Sequence, residues 1–274
     1  MDLYSHRTIT ERITQITVPG QVYVYLACGT ERAALIDTGC GVSGLRDYIG
    51  RLTDKPLSVI LTHGHFDHAG GIGEFENVYM AREDLELVKR HNSQTIRGSR
   101  LLSLPGIREN MIVPPMPRGS FRPLYDGQRF DLGGVELILR ALPGHTAGSF
   151  CVEFNGEDAL LLGDACNSAM YLQLPESLPV EAYLRALQDF RQRLGPFSGR
   201  CLYSHPHNYG DLRILAEMEE LCGEIMKEAV GEDVPGLFGN PARMAKPVDG
   251  KRRRLDGKIA NLIYCPDRIR REDI

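Results

Sequence analysis

The stretch Thr62-His63-Gly64-His65-Phe66-Asp67-His68-Ala69-Gly70-Gly71 places four side chains able to bind metal within six residues. It follows the apolar run Leu57-Ser58-Val59-Ile60-Leu61, which is β-branched at its centre, is preceded by Pro56, and reads as a short buried strand. The donors therefore sit on the loop at that strand's C-terminal end, with Gly70-Gly71 expected to let the backbone turn tightly behind them. Neutral imidazole and carboxylate are borderline-to-hard ligands suited to zinc, iron or manganese. A single histidine is ordinarily a satisfied core or surface residue. Three histidines and an aspartate spaced H-x-H-x-D-H are a different matter, because a solvated loop has no reason to be so dense in donors.

The segments before and after this loop carry the rest of the pattern. Ile16-Thr17-Val18, Val22 to Leu26 and Ala33 to Ile36 read as strands and lead into Asp37-Thr38-Gly39, an Asp-Gly-type turn. Residues 43–52 are expected to form a helix capped by Ser43, and 81–89 another. Residues 92–123 are punctuated by proline and glycine. They carry Arg97, Arg100, Arg108, Arg118 and Arg122, which suits either a lid whose arginines meet an anionic part of a substrate or a solvated insertion. From Phe130 to Leu139 two apolar runs flank Gly133-Gly134, a hairpin pattern.

The turn Pro143-Gly144-His145-Thr146 then precedes a strand from Phe150 to Phe154, and the apolar run Ala159 to Leu162 ends at Gly163-Asp164. A strand at 200–204 runs into His205-Pro206-His207, between helices expected at 179–194 and 211–230. His145, Asp164 and His205 thus all lie at strand ends, as the first cluster does. Six of the eight histidines fall in these segments, with only His6 and His91 elsewhere. Lys251-Arg252-Arg253-Arg254 reads as solvated, and Ala260 to Tyr264 as a last apolar run.

In this order the motifs resemble those of the metallo-β-lactamase superfamily, in its glyoxalase II and lactonase-like branch. The resemblance covers most of residues 13–230. It implies an α/β fold, a four-layer αββα sandwich of two mixed β-sheets flanked by helices. Strand runs and helices fill both halves of the chain, so one domain is expected over residues 1–230 with a lid-like insertion at about 92–123, and a C-terminal extension, 231–274, packed on it. The resemblance also implies two divalent metal ions, zinc being expected and iron or manganese compatible. His63, His65 and His145 would hold one metal. Asp67, His68 and His205 would hold the other, with His207 as fallback for the last ligand, and Asp164 would bridge the two. Asp37 would support the metal loop from behind, as second carboxylates commonly orient ligating imidazoles. Asp67 and Asp164 are the expected catalytic carboxylates.

The implied activity is hydrolysis of a small ester, thioester or lactone by a metal-bridging hydroxide. An iron-dependent enzyme of the persulfide dioxygenase kind, or a phosphodiesterase of the superfamily, would use the same ligands. β-Lactamases of the superfamily usually lack the bridging aspartate, and the flavodiiron branch carries a glutamate where His65 stands. The family's acyl-homoserine lactonases have a tyrosine three residues after that aspartate, where this chain has Asn167, with Tyr171 as a substitute. Cys166, two residues past Asp164, reads either as a pocket wall or as a buried structural thiol.

The net charge of −4 gives no argument for nucleic acid or an anionic membrane, so a small-molecule substrate is the expected partner. No apolar stretch approaches the roughly 20 residues that span a bilayer. The start, Met1 to His6, has no basic segment followed by an apolar one, so no secretory leader is expected. Seven scattered cysteines without a C-x-x-C pair point to a reducing cytoplasm. Nothing in the sequence fixes the oligomeric state.

Overall fold

The computed structural model describes residues 3–270; the first two residues of the amino-terminal stretch and 271–274 of the C-terminal extension lie outside the described residues. The chain forms two compact units, one of residues 1–139, 152–157 and 204–206, the other of residues 140–151, 158–203 and 207–274.

The first unit is built on a seven-stranded sheet in sequence order. β1 (Ser5–Thr8), β2 (Ile13–Val18), β3 (Val22–Cys28) and β4 (Ala33–Ile36) pair antiparallel. β1 had no counterpart in the sequence reading because all four of its side chains are exposed, so it carries no apolar alternation. α1 (Leu45–Gly50) then crosses to β5 (Leu57–Ile60), which pairs parallel with β4. α2 (Phe66–Ala69), β6 (Asn77–Met80), α3 (Leu85–His91), α4 (Gln94–Leu101) and β7 (Ser120–Pro123) follow, with β5, β6 and β7 parallel. Parallel strands put their C-terminal ends at one edge of the sheet, where α/β proteins collect ligands. Here the register pairs Ile36 with Ile60, so Asp37 and the metal loop leave the sheet side by side. β8 (Arg129–Asp131) and β9 (Glu136–Ala141) form the expected hairpin, with Gly133 and Gly134 at φ 84° and 83°, backbone that glycine adopts without strain. β10 (Phe150–Asn155) contributes Val152 onward to this unit.

Three local expectations give way to tertiary contacts. Ser43 does not cap α1. Gly44 stands there at φ 103°, and the Glu74 carboxylate accepts the Gly44 N–H at 2.6 Å and the Arg46 N–H at 3.0 Å. The helix expected at 81–89 starts as a 3-10 turn, Arg82–Asp84, before α3. Residues 92–123 hold α4 and β7, and Leu101, Ile107 and Val113 are buried.

In the second unit β11 (Ala159–Leu161), too apolar to tolerate an exposed face, is wholly buried and pairs parallel with β13 (Arg200–Leu202). β12 (Met170–Leu172) pairs with β16 (Leu262–Tyr264), followed in the sheet by β15 (Arg243–Met244) and β14 (Glu232–Asp233). α5 (Val180–Leu194) and α6 (Arg213–Glu228) bury Val180, Tyr183, Leu187 and Phe190 against Ile214, Met218, Leu221 and Ile225 at helical spacing. The basic run is not uniformly solvated: Arg254 is 6% exposed, donating to the Ala260 carbonyl at 2.5 Å and paired with Asp256. No helix among the described residues is long and apolar enough to cross a membrane.

Candidate metal centre

Asp37 follows β4 in the left-handed conformation, φ 65°, a region that aspartate enters more readily than most residues. Its carboxylate is 1% exposed and accepts the Thr62 N–H at 2.7 Å and the Thr62 hydroxyl at 2.8 and 3.0 Å. It also lies 2.8 Å from His68 Nδ1. A carboxylate flanked by these donors accepts, so His68 Nδ1 carries a proton, which in the neutral ring leaves the lone pair on Nε2. The Thr62 hydroxyl, its proton given to Asp37, accepts from His63 Nδ1 at 3.1 Å, which leaves the His63 lone pair on Nε2 as well. His63 Nε2 faces His65 Nδ1 at 3.1 Å. Thus one buried carboxylate and one hydroxyl set the tautomers of two imidazoles, the arrangement by which proteins prepare metal ligands.

α2 begins at Phe66 and carries Asp67 and His68 in one turn. Asp67 Oδ2 is 3.8 Å from both His68 Nε2 and His205 Nε2, and the three residues offer ligand atoms all within 4.8 Å of one another. Of the two histidines left open by the sequence, His205 is the one in this trio. Its neighbour Ser204 is held in place where its carbonyl accepts the Tyr23 N–H of β3 at 2.8 Å. Asp67 is also the most exposed of the trio, its side chain 27% accessible against 0% for His68 and 18% for His205.

Gly70 and Gly71 serve close approach rather than a tight turn. Their φ values are −62° and −87°, open to any residue. A Cβ on Gly70 would meet the Cys40 carbonyl at 2.3 Å, and one on Gly71 the Thr38 carbonyl oxygen at 2.4 Å. Glycine is needed because the 38–41 backbone presses against the metal loop.

In the second unit His145 Nδ1 lies 2.8 Å from the Tyr171 carbonyl oxygen, which can only accept, so here too the lone pair is on Nε2. That Nε2 is 3.9 Å from Asp164 Oδ2. The Ser177 hydroxyl donates to the His145 carbonyl at 2.9 Å, and the Asn167 amide approaches Asp164 Oδ1 at 3.4 Å. Cys166 is fully buried, and burial pushes its thiol up to about 12, so it is a structural thiol.

The donor chemistry fits divalent metal: imidazoles, three of them held at Nδ1 by oxygen partners, and carboxylates within reach of them. A family model described as the metallo-beta-lactamase superfamily matches residues 17–192, well over half of the sequence. The chain belongs to the metallo-beta-lactamase superfamily.

Members of the superfamily similar to it include the acyl-coenzyme A thioesterase MBLAC2 of Bos taurus, 27% identical over 60% of this chain and 67% of that protein. The hydroxyacylglutathione hydrolase of Pseudomonas savastanoi pv. phaseolicola is 25% identical over 72% of this chain and 66% of its own length. The chain thus spans about two thirds of either relative. A solved metallo-beta-lactamase from Pontibacter korlensis superposes with TM-score 0.58 at 18% identity, covering 80% of this chain and 99% of that one. At that identity the likeness shows the fold alone. The chain therefore has the metallo-beta-lactamase fold, an α/β arrangement of mixed sheets and helices, and it is an enzyme of a superfamily whose members similar to it are hydrolases and thioesterases.

Several residues that shape the superfamily loop were not singled out from sequence. The Asp84 carboxylate, 1% exposed, accepts the Gly64 N–H at 2.8 Å. Asn92 donates to the Ala69 carbonyl at 2.8 Å. His91, which belongs to none of the sequence motifs, stacks on His65. Arg97 is no lid arginine: it is fully buried, and its guanidinium donates to the Gly70 and Val113 carbonyls. The spacing 84, 88, 91, from the residue before α3 to its end, marks one side of the helix, but nothing in it names the loop it meets.

Proposed function

We propose that the chain is a dinuclear metal-dependent hydrolase of thioesters. His63, His65 and His145 would hold one ion, Asp67, His68 and His205 the other, and Asp164 would bridge them. When bound, the two ions supply Lewis acidity and a water acidic enough to lose its proton near neutral pH. Zinc is the metal we propose, since it accepts imidazole and carboxylate together.

The observation that carries this reading is the Asp67, His68 and His205 trio with Asp37 behind it, because a histidine tautomer fixed by a buried carboxylate is the preparation a metal ligand needs. The names of two relatives support thioester among ester, thioester and lactone: one is named for acyl-coenzyme A, another for hydroxyacylglutathione. The chain's own residues suit that class. Asp37 and Tyr171 hold the Nδ1 protons of His68 and His145, and Asn167 steadies Asp164. Asp67, its side chain 27% accessible, is the proton carrier, taking on a carboxylate oxygen the proton that the attacking water gives up and delivering it to the sulfur as the acyl carbon–sulfur bond breaks. A thiol ionises at about 8.5, so the sulfur leaves without a strong acid behind it. The substrate is a small molecule. Seven thiols with no disulfide among them support a reducing, cytoplasmic setting.

The test is metal content per chain in protein purified without added metal, joined to turnover of acyl-coenzyme A, acyl-glutathione, lactone and phosphodiester probes. About two equivalents of metal, with thioester cleavage lost in Asp164→Ala, is the expected result. One equivalent of iron, oxygen uptake with a persulfide and no thioester cleavage would overturn it.

A further inference from the structure

His91 lies at the end of α3, outside every motif that the proposed function uses. Its ring is stacked on that of His65, with centroids 5.1 Å apart and planes 15° from parallel. His65 itself caps α2 and is 6% exposed, its Nδ1 facing His63 Nε2. A flat group lying parallel at this distance makes its offset-stacked contact only while the His65 ring keeps its plane, so rotation about the Cβ–Cγ bond forfeits that contact.

The rest of α3 shows that this contact belongs to a built face. Asp84, the residue that precedes α3, and Val88 and His91 within it are spaced four and three apart and so lie along one side. Asp84 takes the Gly64 N–H, and a Cβ on Gly64 would meet Asp84 Cβ at 3.0 Å and Val88 Cγ2 at 3.1 Å. The helix therefore lies directly on Gly64 and His65, and Asn92, one residue past His91, holds the loop's far end at Ala69. Asp84 fixes the backbone of the loop, Val88 excludes any side chain at 64, and His91 meets the ligand ring.

We propose that His91 is a positioning residue for the metal ligand His65, a second imidazole that fixes the plane of the first by stacking. The inference rests on the reading that His65 binds metal. What matters is the flat ring rather than its nitrogens, and this gives a discriminating pair of variants. His91→Phe keeps a planar ring, while His91→Leu fills the space without one.

The experiment is titration of metal-free protein with Co2+ alone, followed by the visible absorption of the bound ion and by competition with a chelator. The expected result is affinity about tenfold weaker, with a changed visible spectrum, in His91→Leu, and near wild type in His91→Phe. Wild-type affinity and spectrum in His91→Leu would overturn the proposal, as would equal weakening in both variants. A wild-type protein that binds no Co2+ would overturn the metal reading, and the stack's role with it. Independently of metal, the His65 ring protons of the metal-free protein are expected to resonate upfield in wild type and His91→Phe but not in His91→Leu. Identical His65 shifts in wild type and His91→Leu would overturn the stacking itself.

Discussion

Asp37→Asn separates preparation of the metal ligand from stability of the fold. The substitution changes one oxygen to an NH2 group and leaves volume and backbone alone, since asparagine, like aspartate, accepts the φ of 65° found here. The Thr62 N–H, two residues past β5 and 2.7 Å from Oδ1, claims the one remaining oxygen. The new NH2 then faces His68 Nδ1, where Oδ2 now lies at 2.8 Å. Two donors cannot share that contact, so the His68 proton moves to Nε2 and the lone pair leaves the side that faces Asp67. Changing such a supporting partner typically costs 10–100-fold in metal affinity, or about 1.4–2.7 kcal/mol. The metal-free protein loses less, about 1 kcal/mol, because neutral hydrogen bonds replace charge-assisted ones. Asp37→Ala is the contrast: it strips the acceptor from three buried donors at about 1–3 kcal/mol for each one left unsatisfied. Zinc competition against a chromophoric chelator reads the affinity, and urea unfolding of metal-free protein reads the fold. Wild-type zinc affinity in Asp37→Asn, or a loss of affinity matched by an equal loss of metal-free stability, would refute the reasoning.

Arg97→Met leaves the Gly70 and Val113 carbonyls without their donor and is expected to cost about 3 kcal/mol in urea unfolding, where an exposed arginine would cost within about 0.5. Glu74→Ala removes the acceptor for the first N–H groups of α1 and is expected to cost about 1 kcal/mol by the same measurement, so an unchanged midpoint would sink that capping role. Burial pushes the thiols of Cys166 up to about 12 and Cys201 to about 11, from an ordinary value of 9.0. The unfolded chain releases these protons above pH 9 while the folded chain keeps them, so their contribution is complete below pH 9 and is lost as pH rises through 11 toward 12. Urea midpoints are accordingly expected to fall from pH 9 upward, and less steeply in Cys166→Ala; equal slopes in the two proteins would count against this origin.

Elements whose burial is periodic, and donors that are contiguous, are legible along the chain. α5 and α6 declare a buried face every three or four residues, β11 is apolar throughout, and the donors of the H-x-H-x-D-H loop are neighbours along the chain, so no folding is needed to see them together. Strand ends at His145, Asp164 and His205 were legible for the same reason, as apolar runs stopping at a polar group. β1 was not, because an exposed edge strand obeys no apolar alternation. Nor was the fate of the arginines: Arg97 and Arg100 stand three residues apart on α4, yet Arg97 is sealed against carbonyls and Arg100 is exposed. That Asp37 meets His68, that Glu74 rather than Ser43 caps α1, and that His91 lies on His65 follow from folding alone. A side chain's own neighbours fix whether it faces inward, but its partner is set by strand register and helix placement, such as Ile36 opposite Ile60, which sum contacts over the whole unit.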